Sequence, residues 1–137
     1  MMVAAAALIA AVLMDGWAAL LHQHLWHRRL WRWHAPHHRA GHRLNHNDVL
    51  SASHAPFAIA LVVAGGHFEG VLADLALGVG LGMTAFGAAY FLVHDGFVHG
   101  RLPLDFLGRI PYFRRVQRAH ERHHERGGAP YAFFTAR

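Results

Sequence analysis

The stretch GMTAFGAAYFLVHDGFVH, residues 82–99, joins an apolar, glycine-rich run to two histidines five positions apart, His94 and His99. The same order occurs earlier, where the apolar run from Val3 to Leu21 is followed by His22 and His27. Apolar runs of this length are typical of membrane helices, and polar side chains at their ends often mark a functional site. The sequence therefore predicts an all-α integral membrane fold.

Hydropathy predicts about three membrane spans. The run Val3–Leu21 can cross a bilayer once, and no basic residue precedes it, which favours a membrane helix over a cleaved signal peptide. The stretch from Ala55 to Val93 is too long for one crossing and is broken near residues 65–70. We expect two crossings joined by a tight turn, beginning near Asp48 and near Val71, with close helix packing at Gly78, Gly80, Gly82 and Gly87.

Charge predicts the orientation of these spans. All 13 basic residues are arginines, and all of them except Arg137 cluster in segments 28–43 and 101–126. The positive-inside rule places both segments in the cytoplasm and the N-terminus outside. Attraction to anionic lipid headgroups explains the pI of about 11.0 more simply than nucleic-acid binding does. The chain has no cysteine, which excludes disulfides, cysteine-ligated zinc and iron–sulfur clusters.

Ten of the 15 histidines form two repeats of the patterns HxxxxH and HxxHH. Helix positions i, i+3 and i+4 share a face, so each HxxHH triplet can supply two ligands to one metal ion and one to its neighbour. The HxxxxH pairs can close the site from the membrane side. Ten imidazoles suffice for two metal ions at about five ligands each, although imidazole suits Fe, Zn, Cu and Ni alike. The predicted ligands are His22, His27, His34, His37, His38, His94, His99, His120, His123 and His124.

Other residues carry weaker predictions. Asp15 and Asp95 are expected to accept a hydrogen bond from a ligand imidazole, or else to make a local polar contact. Pro36 is expected to end one helix near Trp33 and to open another that carries His37 and His38. The short apolar stretch from Ala129 to Thr135 is expected at the membrane interface.

Four aromatic residues are candidates for an apolar substrate channel, with packing as the alternative: Phe86, Tyr90, Phe91 and Phe97. The remaining histidines are expected to be structural or solvated: His24, His42, His46, His54 and His67.

The histidine patterns resemble those of the fatty acid hydroxylase superfamily. Residues 82–99, Arg118-Ala119-His120 leading into His123-His124, and the pair Asn47-Asp48 are similar to the bacterial β-carotene 3-hydroxylases, and the resemblance runs from about Met14 to the C-terminus. It implies two iron ions, O2 as co-substrate and electrons from reduced ferredoxin and its reductase.

The same resemblance implies a carotenoid substrate taken from the bilayer. The β-ionone ring would be hydroxylated at C3, converting β-carotene to β-cryptoxanthin and zeaxanthin, with canthaxanthin to astaxanthin as a further possibility. The chain would form one membrane-embedded hydroxylase domain over residues 1–137, in the bacterial inner membrane, with the histidines on the cytoplasmic side. Family members usually have four membrane helices, which predicts that an N-terminal span is missing here or that the start is truncated.

Two other classes of protein remain open. The chain could hydroxylate or desaturate fatty acyl, sphingoid or sterol lipids, because those enzymes share the histidine patterns. It could also be a non-catalytic, metal-binding membrane protein that carries zinc or nickel. An unactivated C–H bond requires redox-active metal, so the hydroxylase hypothesis requires iron and excludes zinc. Three spans are few to surround a two-metal site, which makes a homodimer a further prediction.

Overall fold

The structure is a computed structural model, and it describes residues 1–39 and 44–136. These residues form helices and turns without a β-strand, which confirms the predicted all-α class. The α-helices are α1 (Met2–Leu21), α2 (Trp31–His34), α3 (His46–Ala52), α4 (Ala55–His67), α5 (Val71–Tyr90) and α6 (Pro111–Arg126). Two π-helices (His22–Trp26 and Phe91–Val98) and two 3-10 helices (Ala35–His38 and Asp105–Arg109) complete the list.

Within the described residues, three helical segments are long and apolar enough to cross a membrane: Met2–Trp26, His46–His67 and Val71–Val98. They confirm the predicted number of spans. Each carries large apolar side chains on its surface, for example Leu8 at 67% exposure, Phe57 at 67% and Leu72 at 82%. Such surfaces are unfavourable in water and favourable against lipid acyl chains. The chain is therefore a membrane protein.

The chain divides into two compact units, and the first comprises Met1–Met14 and Ser51–Ala89. Its helices pack through small residues. A Cβ atom at Gly78 would lie 2.6 Å from the Ala6 Cβ atom, and one at Gly80 would lie 2.8 Å from a methyl group of Val62. Only glycine permits this approach, as predicted for both positions. The prediction was wrong for Gly87, which has nothing within 4 Å of its Cβ position.

The second unit comprises Asp15–Leu50 and Tyr90–Arg137 and contains all ten predicted ligands. Its apolar core consists of Val93, Phe97, Val116 and Phe133. Helix α6 begins with Pro111 and ends at Arg126. It is capped by Gly127, which has a left-handed φ of 66° and whose backbone N–H donates to the His123 carbonyl. The prediction of a single domain over residues 1–137 stays a prediction.

We expect Gly78→Ala to destabilise the membrane unit more than Gly87→Ala. The new methyl group at position 78 meets the Val3 carbonyl and the Ala6 Cβ atom, each 2.6 Å away, and neither atom can rotate aside. Overpacking of this kind costs about 1–3 kcal/mol, whereas alanine in the open position 87 gains about 1 kcal/mol of helix propensity. Thermal unfolding in detergent measures both. Equal midpoints for the two variants would show that the helices do not pack as described.

Candidate metal centre

Both HxxxxH pairs lie where a membrane-capable helix widens into a π-helix. The His27 N–H donates to the His22 carbonyl at 3.0 Å, and the His99 N–H donates to the His94 carbonyl at 2.9 Å. Residues five apart in an α-helix point about 140° away from each other. The wider turn brings them together, so the Nε2 atoms of His22 and His27 are 3.2 Å apart. Single π-turns inside α-helices frequently mark functional sites.

The two HxxHH triplets lie on different types of secondary structure. His34 ends α2, and His37 and His38 follow on the 3-10 helix Ala35–His38, which contains Pro36. Helix α2 thus ends at His34, one residue after the predicted end near Trp33. The helix predicted to open at Pro36 is a 3-10 helix of four residues, a type that occurs mostly in such short pieces. The second triplet lies on the regular helix α6, with His120 and His123 buried.

The histidines form two groups, within each of which the potential ligand atoms lie within 4.8 Å of one another. In the five-histidine group, adjacent Nε2 atoms are 2.9–3.2 Å apart. In the four-histidine group, the two closest pairs are 3.0 and 3.2 Å apart. The first group is His22, His27, His34, His38 and His123, and the second is His37, His94, His99 and His120.

The HxxxxH pairs and the HxxHH triplets are distributed differently between the two histidine groups. Each HxxxxH pair belongs to a single group, whereas each triplet is divided, as the sequence predicted. In the first triplet, His34 and His38 join one group and His37 joins the other. In the second triplet, His120 and His123 also join different groups. On the regular helix α6, the i and i+4 positions share a face more closely than the i+3 position does, which explains why His123 separates from His120.

His124 belongs to neither group by distance and lies between them. Its ring centre is 4.3 Å from that of His120 and 4.6 Å from that of His37 in the second group, and 4.4 Å from that of His38 in the first. Its Nε2 atom is buried without a hydrogen-bond partner. As the i+4 residue of its triplet, it corresponds to His38, which shares a group with the i residue. His124 therefore fits as the fifth member of the second group.

Four of the imidazoles are oriented by acceptors behind them. Nδ1 of His34 lies 2.7 Å from Oδ1 of Asn47. Nδ1 of His94 lies 3.2 Å from Oδ2 of Asp95. Nδ1 of His22 lies 3.3 Å from the Tyr131 carbonyl, and Nδ1 of His123 contacts the Gly128 carbonyl. Such partners fix the tautomer of a metal-binding histidine and turn its other nitrogen inward.

Burial keeps the imidazoles neutral. It lowers the pKa of His27 and of His38 to about 4, and neighbouring histidines lower both further. It lowers the pKa of His34 to about 3 and that of His124 to about 2. Burial also holds the pKa values of His37, His120 and His123 below the ordinary value. At neutral pH these side chains therefore offer lone pairs rather than positive charges.

Neutral imidazoles in this arrangement fit a metal ion. A neutral imidazole carries one N–H, and in His22 and His34 an oxygen acceptor places it on Nδ1. Their Nε2 atoms then face each other with bare lone pairs at 2.9 Å, which repel unless a cation lies between them. With metal–nitrogen bonds of about 2.0–2.1 Å, ligands at right angles would lie about 3 Å apart. The residues present therefore fit the metal that the sequence predicted.

Comparison with known proteins identifies the family. The fatty acid hydroxylase family profile matches residues 7–136. A β-carotene hydroxylase of Pseudescherichia vulneris is 37% identical over 136 residues, covering 95% of this chain and 74% of that protein. The chain belongs to the fatty acid hydroxylase family. Membership was predicted from the histidine patterns and is confirmed.

Plant members of the family are also similar. The β-carotene 3-hydroxylase of Gentiana lutea is 44% identical over 91% of this chain, and β-carotene hydroxylase 1 of Capsicum annuum is 43% identical over the same share. The chain spans about two fifths of the length of these two plant proteins, 40% and 41% respectively. No solved structure matches the chain.

In this hydroxylase-family chain, Asp15 has a role other than the predicted one. Its buried carboxylate accepts hydrogen bonds from the backbone N–H groups of Phe133 and Phe134, each at 3.0 Å, and of Thr135 at 2.9 Å. The Thr135 hydroxyl donates a fourth at 2.7 Å. The prediction of an imidazole partner was wrong, because a turn more than a hundred residues away saturates the carboxylate.

Asp15 instead anchors the C-terminal segment, residues 128–135. Through the Gly128 and Tyr131 carbonyls, this segment orients one histidine on α6 and one after α1. Its Phe133 is only 6% exposed and packs in the core of the second unit. Phe133 is therefore buried against protein rather than lipid, and the expectation that the stretch from Ala129 to Thr135 lies at the membrane interface stays a prediction.

A cavity of about 20 Å³ adjoins both histidine groups. That volume holds one water-sized molecule. Tyr90 lines it and stacks on His94 with ring centres 4.4 Å apart. The other three channel candidates do not line it. Phe91 is 50% exposed, Phe97 packs in the apolar core, and Phe86 lies on α5 in the first unit.

Sequence reasoning missed Asn47 and Arg101 as supporting residues. Asn47 is buried and accepts from His34. Arg101 forms ion pairs with Asp95, at 3.1 Å, and with Asp48. The Asn47-Asp48 pair was noticed only as part of the family resemblance, and its spacing carries no helical pattern that links it to a ligand. Asp95 contacts His94, as expected for that carboxylate.

The five other histidines lie away from the two groups or outside the described residues. His24, His46 and His67 are exposed, and His54 is half-buried on the span His46–His67. His42 and Arg43 lie outside the described residues. For the four that are described, the expectation of a structural or solvated role stays a prediction.

We expect Asp15→Asn to loosen the C-terminal segment and to reduce metal content. The amide replaces one acceptor oxygen by an N–H donor, which leaves buried backbone N–H groups unpaired at a cost of about 1–3 kcal/mol. Thermal unfolding and metal-to-protein ratio measure the two effects. Asp105→Asn, at an exposed position of the same unit, is the control. An Asp15 variant that matches this control in both measurements would remove Asp15 from any role at the site.

Proposed function

We propose that the chain is a β-carotene 3-hydroxylase that holds two iron ions in its two histidine groups. The observation that carries the proposal is the convergence of bare, buried Nε2 atoms, such as those of His22 and His34 at 2.9 Å. Family membership narrows the chemistry to hydroxylation, and the names of the plant and bacterial relatives narrow the substrate to β-carotene.

Each iron would have five imidazole ligands. One would be held by the five-histidine group and the other by the four-histidine group together with His124. The bound metal would supply the redox chemistry that uses O2 to oxidise an unactivated C–H bond, which no amino-acid side chain can do alone. The cavity beside Tyr90, at about 20 Å³, is of a size for O2 and not for a ring.

The protein's own residues would orient the ligands and exclude water. Asn47, Asp95 and the two C-terminal carbonyls hold the imidazoles in the tautomer that metal binding requires. Phe133 packs against His94 and His120, with ring centres 5.2 and 5.6 Å away. This apolar wall limits access of water to the reaction and suits a hydrocarbon substrate.

The membrane supplies the substrate. His22 and His94 each lie four residues before the end of a membrane-capable helix, at Trp26 and Val98. A carotenoid dissolved in the bilayer would reach such a site without entering water. Its ring would be hydroxylated at C3 to give β-cryptoxanthin and then zeaxanthin. By the positive-inside rule, the arginine-rich segments support a site on the cytoplasmic side of a bacterial inner membrane, and reduced ferredoxin is the proposed electron donor there.

We expect two iron ions per purified wild-type chain and fewer in His124→Ala. Loss of the fifth imidazole of one group would reduce the occupancy of that iron alone, so the ratio should fall towards one. Metal analysis after anaerobic iron loading measures the ratio. His24→Ala, at an exposed position, should retain two. A His124 variant with two tightly held ions would restrict the ligands to nine histidines.

We expect the wild-type chain to convert β-carotene to β-cryptoxanthin and zeaxanthin in a bacterium that accumulates β-carotene. A His123→Ala and His124→Ala double variant should give no product, because it removes one ligand from each group. Chromatography with mass spectrometry of extracted pigments measures the conversion, and His24→Ala serves as the active control. Unchanged β-carotene, with the protein present in the membrane and an electron donor supplied, would indicate a different lipid substrate.

A further inference from the structure

Helix α6 has two chemically different faces. One face carries the ligand candidates His120 and His123, both buried. The other carries Arg114, Arg115 and Arg118, all exposed, and the half-buried Arg122. These four arginines, with Pro111, line a surface depression of about 290 Å³, and we refer to them as the α6 arginine surface. The same helix therefore connects the candidate metal centre with a strongly basic surface.

The residues that the structure describes do not neutralise the α6 arginine surface. Among the described residues, none of its four guanidinium groups forms an ion pair. Glu121 and Glu125 are exposed later in the same helix, but they pair with none of the four. Arg114 and Arg115 also stand in the first half of α6, where the helix dipole disfavours positive charge. The arrangement does not stabilise the helix, which points to an external anionic partner.

The proposed reaction requires such a partner, and the present inference rests on that proposed function. Hydroxylation combines a C–H bond with O2, two electrons and two protons, and it yields a C–OH group and water. A chain without cysteine has no iron–sulfur cluster of its own to deliver the electrons. The electrons must therefore come from a donor other than such a cluster, and a one-electron carrier would approach the buried histidine groups twice in each turnover.

We propose that the α6 arginine surface is the docking site for an acidic electron-carrier protein. A carrier bound there would lie about one helix diameter, roughly 10 Å, from the histidines on the opposite face. Opposite charges on the two proteins would accelerate their encounter and orient the carrier, and arginine is favoured at such interfaces. Exposed Ile110 adds an apolar contact beside the arginines, as interfaces between proteins commonly have.

The experiment compares two double charge reversals. Arg114→Glu with Arg115→Glu changes the α6 arginine surface at its two positions farthest from the ligands. Arg28→Glu with Arg29→Glu is the matched control, because those arginines are exposed in the same unit and form no ion pair among the described residues. Iron-loaded proteins are placed in nanodiscs of zwitterionic phosphatidylcholine. The probe is an acidic [2Fe–2S] ferredoxin, and its Kd, its KM and the kcat are measured.

The α6 reversal should raise the Kd and KM for ferredoxin by about tenfold or more at low salt, and the difference should shrink as salt screens the charges. The control should change both values by less than about twofold. With dithionite and methyl viologen as reductant, both variants should retain wild-type kcat. Iron content should equal that of the wild type in both, which shows that the helix remains folded.

Each of the following results would overturn the docking proposal. Ferredoxin could bind both variants equally. The α6 variant could also lose hydroxylation activity with ferredoxin and with the small reductant alike, which would indicate a structural role. The reversal could also act only when phosphatidylglycerol is added, which would assign the surface to anionic lipid. Failure of the proposed function is distinguishable, because ferredoxin binding would then persist without any hydroxylated product. Hydroxylation with the small reductant but without ferredoxin binding would leave the function and remove the docking site.

Discussion

Convergence of neutral imidazoles is the constraint on which the second unit depends. Lone pairs such as those of His22 and His34 repel at 2.9 Å unless a cation separates them. Protonation would also remove the repulsion, but burial opposes it, because burial lowers the pKa of histidines such as His34 and His38. The unit must therefore hold its ligands rigidly enough to keep the repelling atoms together. Asn47, Asp95 and the C-terminal segment provide that rigidity through hydrogen bonds to the Nδ1 atoms.

The HxxxxH pair and the HxxHH triplet, each present twice, bring the imidazoles together from short segments of helix. A helix alone can direct the i, i+3 and i+4 side chains towards one volume, but it separates the members of an HxxxxH pair. The π-helix His22–Trp26 and the π-helix Phe91–Val98 remove that separation at two equivalent places. The result is two similar ligand sets in which each triplet contributes to both. One chain supplies all ten histidines, so the geometry does not need a second copy to complete either set.

The sequence predicts those features that depend on periodicity and composition. Three spans follow from hydropathy, and the division of each triplet follows from helical spacing. The π-helical turns that begin at His22 and at Phe91 were not predicted, because neither has a sequence pattern that distinguishes it from the α-helix before it. Asp15 shows the same limit, since its partners Phe133 to Thr135 follow more than a hundred residues later. Phe91 and Phe97 could be recognised as aromatic, but their opposite environments depend on helix rotation.

The two histidine groups match in number but differ in the acceptors behind them. In the first group, His22, His34 and His123 donate to neutral oxygens of the backbone or of Asn47. In the second group, His94 donates to the carboxylate of Asp95. A carboxylate partner raises the basicity of an imidazole more than a neutral oxygen does. Arg101 moderates this effect, because it shares the charge of Asp95 through an ion pair at 3.1 Å. In the proposed site, the two groups would therefore offer their metal ions unequal donor strength, and the difference would arise at Asp95 rather than at any ligand candidate.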